Sequence, residues 1–255
     1  MTAKKELIKR GSKTAKDGFR NEKDVIDKFN DWEKDKTAQK WLEAMDYNIN
    51  DIEYVKASKI RGSYKADVQV QIQISIKLKS QIDVQNLQVK LVSNHNSGGN
   101  QVDKRWIGKY IELWNIPADI AKLLKLFTGE TKPRKKGLKD LRRMFLPEMN
   151  ENDQNKIVKF FEDNKILVVS DLLKGRGKFS ADWMLVISKD DIQEKWVLKS
   201  INEAMNIFGE GPVKIASKGS LKIGKIGMQR KGGDNGRASA NMLQFKINPI
   251  LLFDK

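Results

Sequence analysis

The run DVQVQIQISIKLK, residues 67–79, alternates polar and apolar residues almost without exception. Side chains of a β-strand point to its two faces in turn, so this period puts Val68, Val70, Ile72, Ile74, Ile76 and Leu78 on one face. The segment predicts a strand, and the fold must give it an apolar surface to lie on. After SQID, the run QNLQVKL at 85–91 repeats the pattern with Leu87, Val89 and Leu91. The two runs predict a long antiparallel hairpin with its tip around 77–83.

Helical and strand patterns interleave along the rest of the chain, without internal repeats. Phe19, Val25, Ile26, Phe29 and Trp32 recur at helical spacing, and Trp41, Leu42 and Met45 continue it after a break near Lys36. Residues 106–127 read as helix interrupted at Pro117. TKPRKKGLKDLRR reads as a basic loop leading into a helix, and NDQNKIVKFFEDN as a helix capped by Asn152 or Asp153. ILVVSDLL, WMLVI and Trp196 to Leu198 read as short buried strands, and Ser200 opens a helix to Phe208. Strands around LKIGKIGMQRK and MLQFKI, joined by a glycine-rich loop, close the chain. The fold class is α/β, of the α+β kind: a mixed β-sheet flanked by helices. No linker separates independent parts, so residues 1–255 are expected to form a single domain.

Composition narrows the chemistry. Lys plus Arg total 49 against 33 Asp plus Glu, a formal charge of +16 spread over the whole length, which favours a polyanionic partner such as nucleic acid, although a merely soluble basic protein would share the excess. Cysteine is absent, which excludes disulfides and thiolate metal sites. His95 is the sole histidine, which excludes Ser-His-Asp, Cys-His and multi-histidine metal chemistry. Catalysis would rest on carboxylates, amides, lysines and a hard, oxygen-bound cation. The charged N-terminus has no apolar core like that of a signal peptide, and no stretch approaches a membrane span, so a cytoplasmic location is expected.

Three clusters can carry function. A folded-back hairpin brings Asp67 within reach of Gln88 and Lys90. Phosphodiester hydrolysis needs such a group: a carboxylate to hold Mg2+, which keeps its waters and accepts few protein ligands, and a lysine to orient water or stabilise charge on the phosphate oxygens. Spacing alone leaves open a plain wet strand face, with Asp67 merely starting a strand. The second cluster is QRKGGDNGR, residues 229–237: Arg230, Lys231 and Arg237 can donate to guanine, and Asp234 can accept from cytosine. It reads equally as a hairpin turn with solvated charges, in which Asp234-Asn235-Gly236 is the turn. In the third, SNHNSGGNQVDKRW, residues 93–106, Asn94, Asn100, Gln101, Lys104 and Arg105 sit on a glycine-softened loop that either contacts bases or is only flexible and polar. His95 is given no catalytic role.

The blocks GSKTAKDGFRNEKD, YKADVQVQ, QVKLVSN, GRGKFSADW and QRKGGDNGRASANMLQFKINP resemble the type II restriction endonucleases of the MspI-like branch that cut GCGC, from about residue 10 to the C-terminus. The resemblance implies a PD-(D/E)XK core, Mg2+ dependence, a monomer, and a four-base-pair target in double-stranded DNA. A cognate methyltransferase would act on the same site without needing to bind the enzyme. It also implies that Asp67 holds the metal, helped by the Val89 carbonyl and the amide of Gln88, which replaces the family's second acid, and that Lys90 is the motif lysine. The catalytic hairpin would span about 60–95 and a C-terminal recognition ribbon about 221–248, with Asn94, Gln101, Lys104, Arg230, Lys231, Asp234, Asn235 and Arg237 on the DNA. Glu22 on the first helix is either an additional acid or part of a solvated helix face. Two departures from the family pattern are Ala66, where a serine is expected, and an interval between Asp67 and Gln88 two residues longer, assigned to a longer tip around 75–83. A non-catalytic DNA-binding protein and an endonuclease for another G·C-rich target are the competing readings.

Overall fold

The computed structural model describes residues 3–62, 64–76, 79–92, 99–189, 194–232 and 237–254, with side chains from 16 onward apart from 71–80. In chain order the helices are α1 (Ala3–Asn30), α2 (Lys36–Ala44), α3 (Ile107–Trp114), α4 (Ala118–Thr128), α5 (Glu151–Asp163), α6 (Lys165–Leu173) and α7 (Ile201–Gly209). The strands are β1 (Ile52–Lys59), β2 (Val68–Ile76), β3 (Lys79–Val92), β4 (Asn100–Arg105), β5 (Trp183–Lys189), β6 (Glu194–Ser200), β7 (Val213–Ile215), β8 (Leu221–Ile223), β9 (Ile226–Arg230) and β10 (Leu243–Ile247). The chain is α+β, and it divides into two compact units: Met1–Ser97, Leu173–Met205 and Pro249–Lys255 form one, and Gly98–Leu172 with Asn206–Asn248 the other. No described helix is long and apolar enough to cross a membrane.

The first unit holds a mixed sheet ordered β1-β2-β3-β5-β6, in which β3 and β5 run parallel and every other pair antiparallel. Val68 and Val70 of β2, Leu87 and Val89 of β3, and Leu185 and Ile187 of β5 share a face with Val25, Phe29, Trp41 and Leu42 of α1 and α2. The alternation at 67–91 is therefore what fixes the register: a slip of one residue would drive Gln88 and Lys90 into this core and expel Leu87 and Val89, each worth about 1.5–3 kcal/mol when buried. The ladder pairs Val68 with Leu87 at one end and Ile76 with Lys79 at the other. Residues 79–83, expected in the tip, therefore pair in the ladder. Lys77 and Leu78 lie outside the described residues.

The second unit holds an antiparallel sheet ordered β4-β10-β9-β8-β7. Its core is aromatic: Tyr110 stacks on Trp114 at 4.5 Å, and Phe245 of β10 meets Tyr110 and Trp114 edge-on at 5.5 and 5.6 Å.

Several expectations need correction. ILVVSDLL is α6 rather than a strand: Ile166 is 88% exposed while Val168 and Leu172 are buried, the one-sided burial of a helix. An apolar run of eight residues does not separate the two states by periodicity. No helix follows TKPRKK, because Asp140 Oδ1 takes the Arg142 N–H in a local turn and Glu148 takes that of Lys139. The cap of α5 is Asn150, whose Oδ1 accepts from Asp153 N at 2.8 Å. Residues 100–105, expected in a loop, are β4, and β1 and β7 are additional strands.

Candidate active site

Asp67 stands immediately before β2. Its N–H donates to Leu87 O at 2.8 Å, its carbonyl accepts from Ile60 N at 3.0 Å, and its Oδ2 accepts from Val89 N at 2.8 Å. The carboxylate is thereby fixed against the β3 edge where β2 has ended. N–H and carbonyl of a strand residue leave the same edge, so the Val89 carbonyl projects towards the Asp67 side. Gln88 and Lys90 lie on the face opposite Leu87 and Val89, beside Met184 and Val186 of β5. The structure therefore brings Asp67, Gln88, Val89 and Lys90 together at one point of the hairpin.

The polar atoms here are left open. Gln88 is 2% exposed, yet its Oε1 has no hydrogen-bond partner among the described residues. A buried acceptor left unpaired costs about 1–3 kcal/mol. Lys90 is half-buried and its ammonium makes no ion pair among the described residues.

Residues that pattern reading passed over hold this strand. Asn86 N donates to Asp182 Oδ2 at 2.9 Å and Asp182 N donates to Asn86 O at 2.8 Å, a reciprocal clamp two residues before Gln88. Asn86 Nδ2 reaches Lys178 O at 3.2 Å, and its Oδ1 accepts from Gln69 Nε2 at 3.1 Å. Gly175, with φ +80°, would place a Cβ 2.4 Å from Cγ of the buried Lys65, two residues before Asp67. The block GRGKFSADW is thus the support of the hairpin. Its one sequence signal was its presence among the resembling blocks.

Glu22 is not a free acid: its Oε2 pairs with Lys59 Nζ at 2.6 Å, and that ammonium also sits 4.2 Å from the centre of the Phe19 ring. In the second unit, Gln101 and Lys104 are exposed on β4. Arg105 is tied to Asp171 at 3.1 Å and to Asp103 at 3.3 Å. Asp103 also takes the Tyr110 hydroxyl at 2.8 Å, and burial followed by the Asp103 charge pushes that hydroxyl well above its ordinary range. Arg230 donates to Thr128 O at 2.9 Å and to Asn241 Oδ1 at 2.7 Å. Lys231 is half-buried and Arg237 exposed, while Asn94, Asp234 and Asn235 lie outside the described residues. A row of amides crosses three strands: Gln229 Nε2 donates to Gln244 Oε1 at 3.1 Å, and Gln244 Nε2 to Gln101 Oε1 at 2.6 Å. Gln229 and Gln244 were not foreseen as members of the Gln101 cluster.

Among the described residues, no three carboxylate, imidazole or thiolate side chains gather as a ready-made metal site. The donors at the hairpin are instead one carboxylate, one orphaned amide oxygen and one main-chain carbonyl, all hard oxygens of the kind Mg2+ or Ca2+ accepts.

The family described as R.HinP1I restriction endonuclease matches residues 45–253. The chain belongs to that family. As an R.HinP1I-type restriction endonuclease it is a type II, site-specific nuclease that hydrolyses double-stranded DNA, and enzymes of this kind generally use a divalent metal ion. The match spans the hairpin, the clamp at Asn86 and Asp182, and the β4-β10-β9 amide row. A comparison with curated protein sequences gives no match.

Proposed function

We propose that this R.HinP1I-type enzyme is a Mg2+-dependent endonuclease of the PD-(D/E)XK kind that cuts a short palindromic G·C-rich duplex, GCGC, one strand at a time, as a cytoplasmic monomer. The observation that carries the catalytic reading is the conjunction of the Asp67 carboxylate, fastened to Val89 N at 2.8 Å, with the buried, partnerless Oε1 of Gln88 beside Lys90. Asp67, the Val89 carbonyl and Gln88 Oε1 would hold the ion. When bound, the ion supplies Lewis acidity to the phosphate and to a coordinated water.

The chain's own residues do the rest. Asp67 is oriented by the Val89 N–H, which keeps one carboxylate oxygen occupied and leaves the other facing the site. Lys90 donates to the attacking water or to the phosphate oxygens that gain charge in the transition state. A neutral Gln88 gives the site less negative charge than a second carboxylate would, so a bound ion would lean more on the charge of the DNA phosphates. Base reading belongs to the second unit, to Gln101, Lys104, Arg230, Lys231, Asp234, Asn235 and Arg237, with Asn94 from the preceding segment. A methyltransferase would protect the same target without contacting the enzyme.

The test is supercoiled plasmid incubated with protein and Mg2+, followed by sequencing of the cut ends. Nicked circles before linear DNA, with ends mapping to GCGC, are expected. Intact but shifted plasmid would mean a binder without chemistry, and ends at another sequence would replace the target. Linear product with no nicked intermediate, or sedimentation as a stable dimer, would overturn the one-strand monomer.

A further inference from the structure

The segment TKPRKKGLKDLRR, residues 131–143, carries seven cations and one carboxylate, and neither the hairpin nor the amide row uses it. It has no regular secondary structure, yet it is fastened at both ends and at points between. Thr131 N donates to Lys125 O at 3.1 Å and Met144 N to Leu126 O at 2.9 Å, so both ends are tied to α4. In the middle, Glu148 accepts from Lys139 N at 2.8 Å and its carbonyl from Lys135 Nζ at 2.7 Å. Lys132, Arg134, Lys136 and Lys139 are exposed, and their side-chain charges have no ion-pair partner among the described residues. A loop of like charges held in one shape keeps its self-repulsion; a bound polyanion relieves it.

The end of α4 from which this segment departs is joined to β9. Asn241 Nδ2 donates to Gly129 O at 3.0 Å while its Oδ1 accepts from Arg230. Arg143 lies 4.0 Å over the Phe145 ring, its Nε buried without a hydrogen-bond partner and 3.7 Å from Asp140, which is already held by Arg142 at 2.9 Å. Among the described residues, Arg230 bonds only to neutral oxygens. Burial, then the charge of Arg230, lowers the Arg143 guanidinium from its ordinary range, and burial, then Arg142, does the same for Arg230.

We infer that residues 131–143 are a phosphate-binding arm that grips the backbone of duplex DNA alongside the recognition ribbon, to which Asn241 fastens Gly129 at the arm's root. This rests on the duplex-DNA reading above. Phosphate contacts of this kind set orientation on the duplex and carry no sequence information. The arm thus sets where the duplex lies, and the neighbouring amides then read it.

The experiment is the salt dependence of binding to a target duplex and to a long scrambled duplex, without divalent metal, for three proteins. These are the parent, the arm variant Lys132→Ala/Arg134→Ala/Lys136→Ala, and a control that removes three exposed charges elsewhere, Lys23→Ala/Lys34→Ala/Lys40→Ala. Each lost phosphate contact reduces the slope of log K against log salt by about 0.9, so the arm variant should flatten it by about 2.7 on both duplexes. The control should leave the slope nearly unchanged. A parent-like slope in the arm variant, or equal flattening in the control, overturns the arm while leaving the nuclease reading standing. A parent with no salt-dependent affinity for either duplex overturns both.

Discussion

The catalytic hairpin and the β4-β10-β9 ribbon are both pieces of sheet that present glutamines and cations, and they treat those groups in opposite ways. At the hairpin, Gln88 is buried with its oxygen unpaired and Lys90 has no counter-charge among the described residues. In the ribbon, Gln229, Gln244 and Gln101 bond in series, and Arg230 is held by two oxygens. The hairpin bears the cost of unsatisfied groups, as the proposed ion and phosphate site requires. The ribbon satisfies its groups internally, which fixes which edge of each amide faces outward. On the proposed reading, chemistry draws on the open groups of the hairpin and recognition on the preorganised groups of the ribbon.

The largest test of that contrast is Asp67→Ala. If the carboxylate holds the ion, its removal forfeits several kcal/mol of transition-state stabilisation, a loss of at least about a thousandfold in cleavage rate, with duplex affinity largely kept. Single-turnover cleavage beside a binding titration measures both. Cleavage near the parent rate would remove Asp67 from the site, and the hairpin would then be as structural as the ribbon.

Arg230→Ala asks the reciprocal question of the ribbon. A guanidinium that presents its remaining N–H groups to guanine should contribute about 1–3 kcal/mol of discrimination, so target affinity should fall far more than scrambled affinity, with little change in salt slope. Equal losses on both duplexes would mean that Arg230, as its bonds to Thr128 and Asn241 permit, only braces the ribbon, and reading would pass to the amide row.

The hairpin was legible because one period determined everything about it. Alternation at Val68–Val70 and Leu87–Leu91 sets the strands, the buried face and the face that carries Gln88 and Lys90, while Ile82 and Val84 fall on the other face and are exposed. The clamp at Asn86 and Asp182 was not legible, since it joins residues 96 positions apart through main-chain bonds that any residue type supplies on one side. Strand β1 was hidden by an irregularity between Ile52 and Tyr54 that breaks its alternation. Strand β4 was hidden because NQVDKR is polar and is strand only through its pairing with β10, itself irregular between Phe245 and Lys246. Arg105 read as a base contact because sequence shows its charge but not Asp171, 66 residues away, which neutralises it.

A paired substitution sharpens the comparison through stability. Gln88 makes no described side-chain hydrogen bond, so Gln88→Leu removes an orphaned acceptor at similar volume and should raise unfolding stability by about 1 kcal/mol while cleavage falls. Gln244→Leu removes two bonds and should lower stability by about 1–2 kcal/mol. Urea denaturation of both variants checks the signs. If Gln88→Leu is destabilising, its oxygen is already satisfied in solution and the vacancy argument fails.

The smallest effect lies at the far end of the hairpin, where the rule of open groups no longer holds. Asp83 accepts from the Tyr47 hydroxyl, from Gln85 Nε2 at 2.8 Å and from Val84 N at 2.8 Å. Burial alone would raise the Asp83 carboxyl, but these bonds outweigh it and hold the carboxyl below its ordinary value. The Tyr47 hydroxyl is pushed up, first by burial and then by its bond to Asp83. A carboxyl lowered in the fold stabilises above its unfolded pKa of about 3.9 and loses that contribution as pH falls through the folded value. A phenol raised in the fold stabilises below about 10 and loses it as pH rises. The excess stability of the parent over Asp83→Asn should therefore be flat between those limits, should begin to shrink below about pH 4, where the unfolded chain takes up the proton, and should be lost once pH falls through the lower folded value. Melting temperatures of both proteins from pH 3 to 8 measure it. A gap that persists undiminished at pH 3 would assign the bond to shape rather than charge.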